Sequence, residues 1–223
     1  MISKKEIIND LPLFECLTEE ERTLLAQKSE LKKKSKYSFV FLSDEPSTCI
    51  YFLLKGTIKI GTHSVDGKEI IKSIIHPKAL FGEMCLLGEE KRLNFAKAMN
   101  ENIEFLAINA VDILTLMKTN HRLSAHFMSQ VGKRLRSAET RLEALIFKDA
   151  RSRIIDFLKD NVLRRGRKVG FEMMFKHSLT QQDIANLTGT SRQTVTSVLN
   201  ELKKDNLIYF NRKSILIRDM AKL

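Results

Sequence analysis

The sequence has few cysteines, and none of them is spaced for a metal cluster. Cys16, Cys49 and Cys85 lie far apart and form no CxxC pair, which excludes a four-cysteine zinc or iron–sulfur site. We expect these thiols to be reduced and mostly buried. The five histidines are also scattered, and His121 and His126 miss the i, i+4 spacing of a helical metal site. The sequence therefore predicts no metal site.

Long apolar runs and catalytic groupings are also lacking. No run approaches the roughly 20 apolar residues that span a bilayer, and the N-terminus has no apolar signal-peptide region. The chain shows no Ser/His/Asp grouping and no phosphate-binding loop of the P-loop type. We therefore expect a cytoplasmic protein that has no membrane partner and is not an enzyme.

Positive charge is what the chain has in excess. Its 223 residues include 38 Lys and Arg against 27 Asp and Glu, a net charge of +11. This balance favours a polyanionic partner, which is DNA, RNA or an anionic membrane surface. The apolar fraction of 43% is enough to build one large domain or two modest ones.

The segment Thr180–Lys203 has the spacing of two short helices joined by a tight turn. Thr180 and Asp183 form an approximate capping box for the first helix. Gly189 suits a turn that needs positive φ, and Ser191 can cap the second helix. The second helix has apolar residues at i, i+3, i+4 and i+7, namely Val195, Val198, Leu199 and Leu202.

The opposite face of this second helix carries hydrogen-bonding side chains. No Asp or Glu lies between Arg192 and Asn200, so nothing there repels phosphate. Two short strands are expected after it, Leu207–Phe210 and Ser214–Ile217, around a basic turn that resembles a wing. A polar face that meets only water is the alternative, but the basic chain favours a helix-turn-helix on double-stranded DNA. The residues expected at DNA are Thr180, Gln181, Ser191, Arg192, Gln193, Thr196, Ser197, Arg212 and Lys213.

The first half of the chain has the pattern of short strands. Residues 1–30 predict short helices, the second of them capped by Thr18. Asp66-Gly67 indicates a hairpin turn. Strands at near-regular spacing predict an antiparallel barrel or a double-sheet roll. They cover Tyr37–Leu42, Cys49–Leu54, Ile58–Ser64, Glu69–Ile75, Phe95–Met99 and Ile103–Ile108.

From about Asn109 the pattern is helical for some forty residues. This stretch contains no proline and a single glycine, Gly132. Apolar residues there alternate spacings of three and four, which is typical of a coiled-coil seam. We expect this helix to form a parallel homodimer that presents two recognition helices to successive major grooves, about 34 Å apart. Packing on its own domain is the alternative. The expected interface residues are Met128, Val131, Leu135, Ala138, Leu142 and Leu145.

The chain resembles the CRP/FNR family of bacterial transcription regulators over nearly its full length. The likeness rests on KGTIKI with Gly56, on FGEMCLL with Gly82 and Glu83, and on TSRQTVTSVLNELKKDNLI. It implies an α+β fold with a cyclic-nucleotide-binding-type antiparallel β-roll (1–110), a dimerisation helix (111–147) and a winged helix-turn-helix (148–223). At the start of the third part, Ala150–Leu158 predicts a helix and the basic run at 164–168 predicts a loop. RNA polymerase is a partner that the resemblance implies.

The FGE segment resembles the family's ligand site. Gly82 lets the backbone approach a ligand, and successive N–H groups can hold a phosphate. The resemblance implies that Glu83 accepts from a ribose hydroxyl and that Arg92 pairs with a cyclic phosphate. A structural ion pair between Glu83 and Arg92 is the alternative. The candidate ligand residues are Gly82, Glu83, Met84, Arg92 and Leu93.

Several expected ligand contacts are missing from this sequence. Leu93 stands where the family has a hydroxyl residue, and Ala138 and Glu139 replace hydroxyl residues on the long helix. Losing two or three hydrogen bonds predicts cAMP binding weaker by about 100-fold or more. No cofactor is therefore certain: cAMP, another small molecule in the roll, haem at His76 or no effector all stay open.

The recognition helix also differs from that of the cAMP-responsive branch. Arg192 stands where the family contacts guanine, and Gln193 suits adenine where many members have glutamate. Ser197 replaces an arginine of that branch. We expect a palindromic operator whose half-site differs from TGTGA. A ligand-sensing module whose helix-turn-helix contacts protein is the alternative from another class.

Overall fold

The structure is a computed structural model that describes residues 3–223. It begins with α1 (Lys4–Asn9), a 3₁₀ turn (Pro12–Phe14) and α2 (Glu19–Lys28). Thr18 caps α2 as predicted. Its hydroxyl accepts from the Glu21 N–H at 3.2 Å, and the Glu21 carboxylate accepts from the Thr18 N–H at 2.8 Å.

The strands that follow form an antiparallel roll of two sheets. One sheet has the order β1-β8-β3-β6 and the other the order β2-β7-β4-β5. The predicted strands are confirmed to within a few residues. The sequence did not reveal β1, whose side chains are almost all exposed and lysine-rich, or the two-residue β6. The strands are β1 (Glu30–Lys34), β2 (Phe39–Phe41), β3 (Cys49–Lys55), β4 (Ile58–His63), β5 (Glu69–Ile75), β6 (Leu80–Phe81), β7 (Phe95–Ala98) and β8 (Ile103–Asn109).

An aromatic cluster occupies one part of the roll. Tyr51 on β3 stacks on Phe81 of β6 with ring centroids 5.1 Å apart, and on Phe41 of β2 at 5.7 Å. Phe105 of β8 meets the Tyr51 ring edge-on at 5.6 Å. Because each such ring buries a large apolar area, the cluster fixes the environment of the Gly82–Arg92 segment that begins directly after β6.

The predicted single helix after Asn109 is wrong, because two helices occupy that stretch. These are α3 (Ala110–Thr119) and α4 (His121–Phe147). Asn120 between them has φ −107° and ψ 89°. Its N–H donates to the Leu116 carbonyl at 2.8 Å and its Oδ1 accepts from the Leu123 N–H at 3.1 Å. One asparagine thus ends the first helix and caps the second.

The C-terminal part combines three helices with a small sheet of order β11-β12-β10-β9. The predicted loop at 164–168 is wrong. Arg164 and Arg165 lie in the last turn of α5, where cations suit the helix C-terminus, and Arg167 begins β9 by pairing with Met174. The elements are α5 (Ala150–Arg165), β9 (Arg167–Val169), β10 (Glu172–Lys176), α6 (Gln181–Thr188), α7 (Arg192–Lys204), β11 (Ile208–Phe210) and β12 (Ser214–Ile217).

The chain divides into two compact units. One contains the residues up to Thr62 together with Lys72–Ser137, and the other contains His63–Ile71 together with Ala138–Leu223. Within residues 3–223, no helix combines the length and the apolar character that a membrane span requires.

Candidate nucleic-acid interface and effector site

The helix-turn-helix has the caps that the sequence predicts. Thr180 begins α6 with a capping box, in which its hydroxyl accepts from the Asp183 N–H at 3.0 Å. Gly189 ends α6 with φ +63°. This positive φ favours glycine, and a Cβ on Gly189 would lie 2.7 Å from Leu145 Cδ2. Ser191 caps α7 by accepting from the Thr194 N–H at 3.0 Å.

The predicted inner face of α7 is confirmed, and so is the outer face except at Thr196. Val195, Val198, Leu199 and Leu202 are buried, whereas Arg192, Gln193, Ser197 and Asn200 are exposed.

Some predicted DNA residues on these helices bond within the protein. Thr196 is half-buried, and its hydroxyl donates to Gln181 Oε1 at 2.6 Å. The hydroxyls of Thr180 and Ser191 serve the two helix caps. Among the residues predicted at DNA on α7, Arg192, Gln193 and Ser197 keep exposed side chains.

The wing contains a basic cleft that includes one residue missed by the sequence analysis. Asn211 Oδ1 accepts from the backbone N–H groups of Lys213 and Ser214 at 2.8 and 2.9 Å, which fixes the turn between β11 and β12. The side chains that line the cleft are Lys176, Asn211, Arg212, Lys213 and Ser214. Lys176 reaches it because β10 pairs with β12 in the register Lys176 to Ser214. Lys176 could have been found from the sequence if β10 had been predicted to pair with β12.

The net charge resides mainly in the C-terminal part. Residues 148–223 contain 16 Lys and Arg against 8 Asp and Glu, whereas residues 1–110 contain 16 of each kind. In the described chain, none of Lys176, Arg212 and Lys213 forms an ion pair. The cleft thus offers positive donors and no carboxylate, which suits phosphate.

His177 links the wing to α6. Its backbone N–H donates to the Lys213 carbonyl at 2.9 Å, and its Nδ1 accepts from the Leu179 N–H at 3.2 Å. Burial lowers the pKa of His177, and the nearby Arg165 guanidinium lowers it further. The imidazole is therefore neutral at physiological pH.

Arg92 binds the protein's own backbone. The side chain is 2% exposed. Its Nη1 donates to the Gly82 carbonyl at 2.7 Å, and its Nη2 donates to the Cys49 carbonyl. The guanidinium carbon lies 4.4 Å from the centre of the Phe41 ring. The alternative of a structural ion pair between Glu83 and Arg92 is wrong, because the carboxylate nearest to Arg92 is Glu89, at 3.7 Å.

Glu83 is held from α4 instead. Arg134 donates to the Glu83 carboxylate and also to the Leu80 carbonyl. Glu83 begins a 3₁₀ segment (Glu83–Leu87) after Gly82, which has φ +70°. A Cβ on Gly82 would lie 2.9 Å from Tyr51 Cδ2, so the aromatic cluster also requires glycine here. The sequence could not reveal this ion pair, since its two residues are far apart in the chain.

The effector segment does not fit a cyclic phosphate as it stands. The guanidinium expected at the phosphate binds two carbonyls, and the carboxylate expected at the ribose binds Arg134. Leu93, in the place of a hydroxyl residue, is 69% exposed and supplies no side-chain donor. Met84 is also exposed. A cyclic nucleotide would have to displace bonds that the protein already makes.

The cysteines are free thiols, each half-buried. Burial raises the pKa of Cys85 to about 11, so this thiol is protonated and unreactive at neutral pH. In the described residues, no group of three or more His, Cys, Asp or Glu side chains is placed to hold a metal ion.

Most residues of the predicted α4 stripe face outward. Met128, Leu135 and Leu142 are about 60% exposed, and Ala138 is exposed as well. Val131 differs, because it is half-buried and packs against the core of its own unit. Leu145 contacts the turn at Gly189. Ile146 and Phe147, which the heptad pattern did not include, extend the exposed apolar surface at the end of α4.

Two known domain families match this chain. Residues 31–120 match the cyclic nucleotide-binding domain, and residues 152–223 match the Crp-like helix-turn-helix domain. Together they cover most of the roll and nearly all of the segment from α5 onward.

Relatives with curated descriptions cover four fifths of the chain or more. A CRP-like cAMP-activated global transcriptional regulator of Mycobacterium tuberculosis is 29% identical over 184 residues, covering 82% of each chain. The Cyclic AMP receptor protein of Thermus thermophilus is 29% identical over 212 residues, covering 95% of this chain and 94% of that one. A solved CooA mutant of Carboxydothermus hydrogenoformans has a TM-score of 0.79 at 24% identity, covering 96% and 94%. At 24% identity, the likeness to the CooA mutant shows a shared fold and nothing about function.

Proposed function

Because the chain belongs to the CRP/FNR family of DNA-binding transcription regulators, we propose that it acts as a homodimer on a palindromic operator. The exposed face of α7 carries this proposal, since it presents donors and acceptors and has no carboxylate between Arg192 and Asn200. In this proposal the protein regulates transcription and does not catalyse a reaction. It acts in the cytoplasm, with RNA polymerase as a further partner.

Base recognition falls to the first turns of α7. Arg192 is exposed and can make a bidentate contact to guanine, the commonest specific contact in DNA complexes. Gln193 beside it suits adenine. Gln181 Oε1 is taken by Thr196, which leaves the Gln181 amide nitrogen as a donor for the DNA backbone. The half-site therefore differs from one read by glutamate and a second arginine.

The wing supplies sequence-independent contacts. Lys176, Arg212 and Lys213 line one cleft, and no Asp or Glu is among the described residues that line it. Three unpaired cations in one cleft favour phosphate oxygens. They position the recognition helix and carry no sequence information.

The homodimer forms along α4. Met128, Leu135 and Leu142 lie seven residues apart, and each leaves about three fifths of its surface exposed. Such a row on a 27-residue helix is typical of a coiled-coil seam. The three-part division into β-roll (1–110), dimerisation region (111–147) and winged helix-turn-helix (148–223) is kept, with α3 and α4 both in the middle part.

The β-roll senses a ligand other than cAMP or none at all. Arg92 and Glu83 are the groups that would bind a cyclic nucleotide, and both already bind protein partners. We expect DNA binding without cAMP for this reason. A small molecule that enters the roll would have to be recognised by other groups.

The test is selection of bound sites from a random duplex library by the full chain, with and without cAMP, at two salt concentrations. A palindrome recovered equally in both conditions supports the proposal. Recovery only with cAMP would overturn the effector statement, and no enriched site in either condition would overturn the proposed DNA recognition.

Arg192→Ala tests base recognition on the selected site. It should weaken binding by about 1–3 kcal/mol and relax one base position. The matched control is Lys159→Ala, which removes a cation that lies on α5 and not on the recognition helix. Wild-type affinity and specificity in Arg192→Ala would show that base recognition has been placed on the wrong residue.

A further inference from the structure

The turn of the helix-turn-helix is held from outside by one arginine. Arg153 on α5 donates from Nε to the Thr188 carbonyl at 2.8 Å and from Nη2 to the Gly189 carbonyl at 3.1 Å. The last carbonyls of a helix lack partners within the helix, and a cation suits that end of the helix dipole. Arg153 therefore satisfies the C-terminal end of α6 just where the chain turns into α7.

The same guanidinium also reaches the junction between α4 and α5. Arg153 Nη1 donates to the Lys148 carbonyl at 2.6 Å. Lys148 lies directly after the last residue of α4, and Asp149 caps α5. One planar guanidinium thus joins three carbonyls that belong to two separate chain segments.

A second contact connects the same two segments. The Leu145 side chain, in the last turn of α4, lies against Gly189, where even a methyl group would approach it to 2.7 Å. The end of α4 therefore touches the turn through an apolar contact, and Arg153 ties the two together through hydrogen bonds.

We propose that Arg153 is a positioning residue that sets the orientation of the helix-turn-helix relative to the end of α4. This inference rests on the proposed function, because in a dimer joined along α4 that orientation fixes the distance and angle between the two recognition helices. Arg153 thereby determines which spacing of half-sites the dimer accepts. It touches no base itself, since its donors are engaged by carbonyls.

The experiment uses the full chain and the palindrome recovered by site selection. A series of duplexes has one or two base pairs inserted or deleted at the centre, since each step rotates one half-site by about a tenth of a turn. Affinities are measured for the wild type, for Arg153→Lys, and for Arg151→Lys as control. Arg151 lies on the same helix and pairs with Glu201 at 3.0 Å.

A lysine keeps the charge but cannot bond three carbonyls in one plane. We expect the wild type and Arg151→Lys to prefer one spacing. In Arg153→Lys the ratio of affinities between the preferred spacing and its neighbours should fall by about tenfold, the effect of one or two charge-assisted hydrogen bonds. A merely structural loss would lower every affinity equally and leave that ratio unchanged.

Arg153→Gln is measured in parallel, with circular dichroism to confirm folding, so that one unstable variant does not decide the matter. An unchanged ratio in the folded variants overturns the inference while leaving the proposed function intact, and so does a wild type without spacing preference. Failure of the wild type to select any palindrome is the separate result that removes the proposed function, and the inference with it.

Discussion

Replacement of Arg92 by methionine separates a structural role of this arginine from a ligand-binding role. In the structure the guanidinium bonds two backbone carbonyls and lies over Phe41. If it holds the roll together, its removal must lower the free energy of unfolding. If it is instead a buried cation kept for a phosphate, its removal relieves the cost of a desolvated charge. We predict a loss of stability in Arg92→Met.

The size of this loss follows from the contacts. Methionine removes the Arg92 donors from the carbonyls of Gly82 and Cys49, at about 1–3 kcal/mol for each lost bond. The Gly82 carbonyl keeps only the weak Cys85 thiol donor, at 3.3 Å. The Glu89 carboxylate loses its cation but keeps the Ser47 hydroxyl at 2.8 Å and the Leu93 N–H at 3.3 Å, so the full penalty for breaking a buried ion pair does not apply. We therefore expect Arg92→Met to cost about 3 kcal/mol.

Denaturant unfolding followed by tyrosine fluorescence measures this value. The chain has no tryptophan, and Tyr37 and Tyr51 report on the roll. The control is Lys91→Met, which removes an exposed cation next to Arg92. The reasoning is refuted if Arg92→Met is as stable as the control. It is refuted equally if millimolar cAMP stabilises the wild type but not the variant, since that pattern marks a ligand-binding arginine.

Three further predictions concern the cleft, the buried histidine and the dimer. Lys176→Ala should weaken binding to all duplexes alike and reduce the slope of log K against log salt by about 1. Lys118→Ala on α3 is the control variant. An unchanged slope in Lys176→Ala would show that Lys176 does not contact DNA. Because burial lowers the pKa of His177, the unfolded chain binds more protons, so stability should fall as pH drops through about 6.5. Urea unfolding at pH 7.5 and 5.5 should show a smaller fall in His177→Gln, and equal falls would contradict this. Leu135→Glu should yield folded monomers in sedimentation experiments while Lys133→Glu stays dimeric, and a dimeric Leu135→Glu would place the interface elsewhere.

Features encoded by neighbouring residues could be predicted from the sequence. The capping pair Thr180 and Asp183, Gly189 and the apolar row on α7 act within a few residues of one another, and each is confirmed. The turn at Asp66-Gly67 has the same local origin. Fold class followed because these short-range signals agreed with the family motifs.

Features that depend on distant partners could not be predicted. Arg134 binds Glu83 across 51 positions of sequence, and Arg92 bonds the Cys49 carbonyl across 43; no local pattern encodes either contact. Asn120 breaks the helical stretch through its own cap geometry, which periodicity does not register. Lys176 reaches the wing only through strand pairing, and β10 has no regular alternation to predict it.

The internal bonds of Arg92 bear on how function is inferred from motifs. A side chain that stabilises a fold has that role whether or not the protein binds a ligand. Gly82, Glu83 and Arg92 have structural contacts here that need no bound nucleotide. A motif search would score this chain as a second-messenger receptor. In the structure, however, Arg92 is buried and its guanidinium donates to two backbone carbonyls of the roll. The informative question about such a motif is which partner its charged groups already have.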